Sequence, residues 1–99
     1  MVEQVKDVIK MAAPSATAIL FGSEARGEAR VDSDLDILIL LDNDVASITD
    51  EDVVRWPLYE LEMKTGISIN PVITTKKLWN ERPFITPFYM NVTNEGIVL

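Results

Sequence analysis

Apolar positions recur along the chain in two periods, and the switches between them mark the elements. Val2, Val5, Ile9 and Ala12 stand three or four residues apart, the spacing of one helix face. Residues 2–12 therefore read as an amphipathic helix, stopped by Pro14. "TAILFG" (17–22) is a short apolar run ending in glycine and reads as a strand. "SEARGEARV" (23–31) reads as a short helix or turn interrupted at Gly27. "DLDILILL" (34–41) is a nearly continuous run of leucine and isoleucine, the pattern of a central strand covered on both faces.

Beyond the polar loop "DNDVAS" (42–47), Thr49 is expected to cap a helix. Asp50, Glu51 and Asp52 in its first turn match the positive end of the helix dipole. That helix should run to about Thr65 and stop at Gly66, with Pro57 kinking it or marking a fresh start. "ISINPVIT" (67–74) reads as a third strand, placed by Pro71 at an edge or a bulge. Thr75 is predicted to cap a short helix through Asn80, and Thr86–Pro87 to open a last one ending near Gly96. The order predicts an α/β (α+β) layer of at least three strands flanked by helices. No internal repeat, low-complexity tract or linker divides it, so residues 1–99 are expected to form a single domain.

Composition narrows the chemistry. With 47% apolar and 25% charged residues the chain is ordinary for a globular protein, and at 99 residues it can enclose one modest core. No apolar run approaches a bilayer's thickness, and "MVEQVKDVIK" lacks a signal peptide's apolar middle. The chain has no cysteine, so no disulfide framework exists and a cytoplasmic protein is the default expectation. A net charge of −7 argues against binding a duplex backbone. It does not exclude a nucleotide, because a metal ion reverses the local field that a phosphate meets. The absence of histidine removes Ser-His-Asp and Cys-His catalysis and, with cysteine also missing, zinc sites of the usual ligands. Carboxylates, hydroxyls, Lys/Arg, backbone amides and hard cations remain.

Within that inventory two features stand out. Alternation puts Asp34 and Asp36 on one face of the third apolar run, roughly 6.5 to 7 Å apart at Cα. Converging carboxylates repel unless a cation lies between them, and oxygen-only ligands select Mg²⁺, Mn²⁺ or Ca²⁺. Upstream, Gly22 permits close backbone approach and Ser23 offers a hydroxyl where the chain leaves a strand, a simple anion site. Taken singly, each is more often an ordinary turn or strand end. Together, on successive strands, phosphates at the first and their metal at the second compose one site.

Gly22-Ser23, ten residues, then Asp34-x-Asp36 resembles the G-S-x10-D-x-D signature of the DNA polymerase β-like nucleotidyltransferase superfamily. The text "FGSEARGEARVDSDLDILI" is most similar to its small stand-alone members, the minimal nucleotidyltransferases. The resemblance implies the small nucleotidyltransferase fold, a mixed sheet flanked by helices. It also implies metal-dependent transfer of a nucleoside monophosphate, usually AMP from ATP, to a hydroxyl. Carried over by position, Gly22 and Ser23 would hold the triphosphate, with Arg26 steadying its phosphates or pairing with the acidic cluster. Asp34 and Asp36 would be the catalytic, magnesium-binding acids of a two-metal arrangement. Arg30 fits a solvated surface role better, and Asp32 precedes the strand proper, which makes it the weakest ligand candidate of the three aspartates. The group commonly pairs with a helical HEPN-domain protein, often as antitoxin to toxin, and the same kind of partner is implied here. Self-association is left open.

The family also supplies a third carboxylate from a later strand. In this chain that strand is "ISINPVIT", where the matching position is Ser68 or Asn70, neither of which ionises. The second metal site is therefore in question. The competing reading is a nucleotide- or partner-binding module whose transfer activity is weakened or lost. Glu60 and Glu62 are expected to be solvated on their helix, and Asp42 and Asp44 to lie in the loop at the strand's far end. Lys76-Lys77 reads as a solvated helix start. Trp56, Leu58, Tyr59 and Leu61 read as core or interface of one helix, and Trp79, Phe84, Phe88 and Tyr89 as either core or a docking patch.

Overall fold

The structure, a computed structural model, describes residues 2–22, 34–42, 48–81 and 85–99. Along the chain run α1 (Val2–Ala12), β1 (Thr17–Phe21), β2 (Leu35–Leu41), α2 (Ile48–Thr65), β3 (Ile69–Thr75), α3 (Lys76–Asn80), α4 (Pro87–Glu95) and β4 (Ile97–Val98). The strands form one mixed sheet in the order β3-β2-β1-β4. β1 is antiparallel to both β2 and β4, whereas β2 and β3 are parallel. The parallel pair requires a crossover, and α2 provides it.

Alternation along β2 explains why its sequence is apolar almost throughout. Leu35, Ile37, Ile39 and Leu41 are buried with Ala18 and Leu20 of β1 and Ile69 of β3. Val5 and Ile9 of α1 and Val54 and Leu58 of α2 close over them. Leu38 and Leu40 go to the opposite face, where they meet Ile19 and Phe21 of β1, Trp79 of α3 and Val92 of α4. Each such burial contributes about 1.5–3 kcal/mol relative to exposure. Asp36 shares the parity of Leu38 and Leu40 but is only half-buried, and Asp34 before it is exposed. The acids thus stand at the end of the second face.

Junctions between elements are held by specific polar contacts. Pro14 ends α1, and Ala13 N–H donates to the Ile9 carbonyl at 2.8 Å as the last helical turn closes. Gly66, with φ of 75°, is the left-handed stop that ends α2. Thr75 caps α3 by accepting from Leu78 N–H at 3.1 Å, and Thr86 caps α4 by accepting from Tyr89 N–H at 3.1 Å. Pro71 lies on β3, an edge strand.

The structure changes or narrows the local expectation at four places. Helical backbone begins at Ile48, so Thr49 lies inside the first turn of α2 and not at its cap. The helix continues through Pro57 without a fresh start. Glu62 is half-buried, because Ile69 N–H at the head of β3 donates to its Oε1 at 2.7 Å. Lys76 is likewise engaged: its Nζ donates to the Ser15 carbonyl at 2.8 Å and to Asp42 Oδ1 at 3.2 Å. Lys77 is exposed, as expected. The fourth strand, β4, is two residues long and carries too short a pattern to be read from sequence.

Candidate functional site

Three strands bring the site together. Phe21, the last residue of β1, pairs with Asp36, and Asp36 in turn pairs with Asn70 of β3. Side chains at paired positions share a face of the sheet. Gly22 follows directly and turns the chain with φ of 78°. A Cβ built there would stand 2.5 Å from Asp36 Oδ2, closer than real contacts allow. Glycine suits this position for its left-handed backbone, and a side chain there would displace the Asp36 carboxylate. The acid and the glycine are therefore one local unit.

On the other side of Asp36 stands Asn70. Its Nδ2 donates to Asp34 Oδ2 at 3.1 Å and to Asp36 Oδ1 at 3.3 Å. One amide nitrogen thus spans the two carboxylates. The parallel register puts Asn70, not Ser68, opposite Asp36. Asn70 faces the acids, whereas Ser68 takes part through its main chain, its carbonyl accepting from Leu35 N–H at 2.8 Å. Among the described residues no group of three or more acidic, histidine or cysteine side chains gathers at one point. Two carboxylates and an amide carbonyl are nonetheless all oxygen donors of the kind that Mg²⁺ accepts, so this donor set fits the cation.

Gly22, Asp34 and Asp36 are brought together as expected. Ser23, Arg26, Arg30, Asp32 and Asp44 lie outside the described residues, as do Gly27 and Phe84. Asp42 and Lys76 sit at the far end of β2, apart from the acids. The neighbourhood that sequence reasoning did not assemble is aromatic. Phe21, in register with Asp36, makes an edge contact with Phe88 at 5.3 Å between ring centroids, and Phe88 meets Trp79 at 6.0 Å. Trp79 also meets Tyr89 at 5.1 Å. The C-terminal aromatics therefore cover the second face of the sheet next to the acids. Alternation in "TAILFG", which puts Phe21 on the Ile19 side, was the available signal.

Trp56 and Tyr59 go the other way. Leu58 is buried and Leu61 half-buried, while Trp56 is 60% exposed and makes an edge contact with Tyr59 at 5.7 Å. No helix among the described residues is long and apolar enough to cross a membrane.

Comparison with known proteins identifies the family. The chain is 40% identical over 81 residues to a protein of Methanocaldococcus jannaschii that is provisionally named a protein adenylyltransferase, spanning 82% of this chain and 74% of that one. A solved structure described as a toxin-antitoxin with AMP-PNP superposes with a TM-score of 0.67, covering 97% of this chain and 69% of the other at 19% identity. The latter is a likeness of fold. The family model for the nucleotidyltransferase domain matches residues 2–95, which contain the glycine turn, both acids and Asn70, and the chain belongs to that family.

Proposed function

We propose that the protein transfers AMP from ATP to a hydroxyl on a partner protein, with Mg²⁺ held by Asp34 and Asp36 and the triphosphate held at Gly22, Ser23 and Arg26. The carrying observation is the contact geometry of Gly22 with Asp36. Backbone where a side chain would displace the Asp36 carboxylate lies directly against that carboxylate, which shares the Asn70 amide with Asp34 two residues back. Phosphate oxygens approaching the bare main chain at Gly22 would lie beside the acids that hold their counter-ion. Mg²⁺ held there would supply charge neutralisation on the phosphates.

The chain's own residues do the rest. Asp34 and Asp36 would hold the cation at the end of the sheet where the α-phosphate binds, and the Gly22 turn would set the triphosphate's direction. The acceptor oxygen forms a bond to the α-phosphorus as the bond to pyrophosphate breaks, and the hydroxyl proton is released. With no histidine in the chain, that proton passes to a carboxylate or to water. Residues 1–99 act as one catalytic domain in this scheme.

A protein acceptor is supported by the adenylyltransferase name of the M. jannaschii relative, and an antitoxin role beside a toxin by the description of the structural neighbour; that the toxin is a helical HEPN-type protein is what the sequence resemblance implies. Val53, Trp56, Tyr59 and Met63 expose an apolar strip along α2, which suits a helical partner. The test is direct: incubate the protein with labelled ATP, Mg²⁺ and the protein encoded beside it. Label should appear on that neighbour and vanish with Asp34→Asn and Asp36→Asn together; an unlabelled neighbour rejects the transfer reading.

A second reading is favoured by Asn70. An amide at the third-acid position cannot ionise, so the acceptor hydroxyl loses one activating charge. A single missing transition-state contact costs on the order of 10²–10³ in rate. In that case the protein binds nucleotide and partner with little or no transfer, and calorimetry would register Mg-ATP binding where the labelling reaction gives no product.

A further inference from the structure

On the reading that Asp34 and Asp36 hold the cation, we infer that Asn70 is a two-state ligand which makes this a one-metal site. Without metal its NH₂ group stands in for the cation by bridging the acids. With metal its amide turns and presents Oδ1 as a neutral third ligand.

The bridged arrangement is the one the structure shows. Ionised carboxylates only accept hydrogen bonds, so the amide must turn its NH₂ toward them. One Nδ2 reaches both, at 3.1 Å and 3.3 Å, and carries two hydrogens, one for each acid. Bonds to ionised acceptors are roughly twice as strong as neutral ones, so this bridge relieves part of the repulsion between the converging charges. The bridge is incompatible with a bound cation, because the amide hydrogens would point at it.

Turning the amide resolves the conflict. The terminal torsion of asparagine is broad and nearly two-fold, so a half-turn exchanges Nδ2 for Oδ1 with little motion of the backbone. β3 need not shift, and its pairing with β2 is retained. The Asn carbonyl is an ordinary ligand for a hard divalent cation. Yet it adds no charge. Among the described residues the side-chain set then carries two negative charges in place of the three that a third acid would give, enough for one divalent ion shared with nucleotide phosphates and poor for a second. Asn70 thereby sets metal stoichiometry, and a carboxylate there would convert the site.

Two measurements on the full chain test this, neither of them activity. In the first, Mn²⁺ is titrated in the presence of a saturating non-hydrolysable ATP analogue, and free Mn²⁺ is read by electron paramagnetic resonance. The wild type should bind one ion per chain, and Asn70→Asp should bind two, the second at least tenfold more tightly than any second ion in wild type. In the second, side-chain amide resonances are followed as Mg²⁺ is added with the analogue. The Asn70 NH₂ pair should move as its carboxylate acceptors are lost, and this uses wild-type protein alone, so a poorly folding variant cannot obscure it.

Equal stoichiometry in the two proteins overturns the inference, as does an Asn70 NH₂ pair that stays put while the Asp34 and Asp36 backbone amides respond. Those outcomes leave the Asp34–Asp36 reading intact. No response at any of the three residues, and no Mn²⁺ bound beyond that of an Asp34→Asn, Asp36→Asn double variant, removes the parent reading and this inference with it.

Discussion

At Gly22 two demands meet in one residue, a φ of 78° and the carboxylate of Asp36 where a Cβ would go. An L-residue in left-handed backbone costs roughly 1–2 kcal/mol, before any clash is counted. Gly22→Ala is therefore expected to lower stability by at least about 1–2 kcal/mol, measured by thermal or denaturant unfolding, and to weaken Mg-ATP binding by displacing Asp36. A variant that keeps both properties would contradict the placement of the glycine against the acid. Gly22, Asp34 and Asp36 were legible in sequence because strand period and turn chemistry are local rules, and both residue types are strongly restricted by them. The choice between Ser68 and Asn70 was not legible. It depends on how β2 and β3 align, and a slip of two residues keeps every side chain on its face while exchanging the partner of Asp36. Only the register settles it.

Among the elements, α2 and β3 depend on contacts that no periodicity reveals. Glu62 on α2 accepts from Ile69 N–H, which ties the helix to the first residue of the strand carrying Asn70. Glu62→Ala leaves that donor without its partner and should cost about 1–3 kcal/mol, whereas Glu62→Gln retains an acceptor oxygen and should recover most of it in the same unfolding assay. Thr75 is fully buried and caps α3, so Thr75→Ala should cost about 1 kcal/mol or more. Seven of the eight elements among the described residues were foreseeable, because each has a period, a cap or a breaker in its own sequence. β4 was not, since its two residues acquire strand geometry only by pairing with Ile19 and Leu20 of β1. Lys76 escaped for a similar reason: its partners, Ser15 and Asp42, lie 61 and 34 residues away in the chain.

The whole molecule presents two unlike surfaces. One face of the sheet is sealed by α1 and α2, and the other is covered by α3 and α4 with the acids at its open end. On the outer side of α2, Val53, Trp56 and Met63 are 51%, 60% and 69% exposed. If this strip docks the partner, Trp56→Ala should leave stability within about 0.5 kcal/mol while reducing partner capture in a pull-down with the neighbouring gene's product. Loss of folding would instead mark Trp56 as structural. A net charge of −7 makes the molecule repel free nucleotide except where a cation intervenes, so nucleotide binding should depend strictly on divalent metal. Titration calorimetry of ATP into the protein is the most direct check of the site at Gly22, Asp34 and Asp36. Heat of binding is expected with Mg²⁺, absent with EDTA and absent when Asp34→Asn and Asp36→Asn are combined. Undiminished binding to the double variant, or equal binding with and without Mg²⁺, would contradict the account.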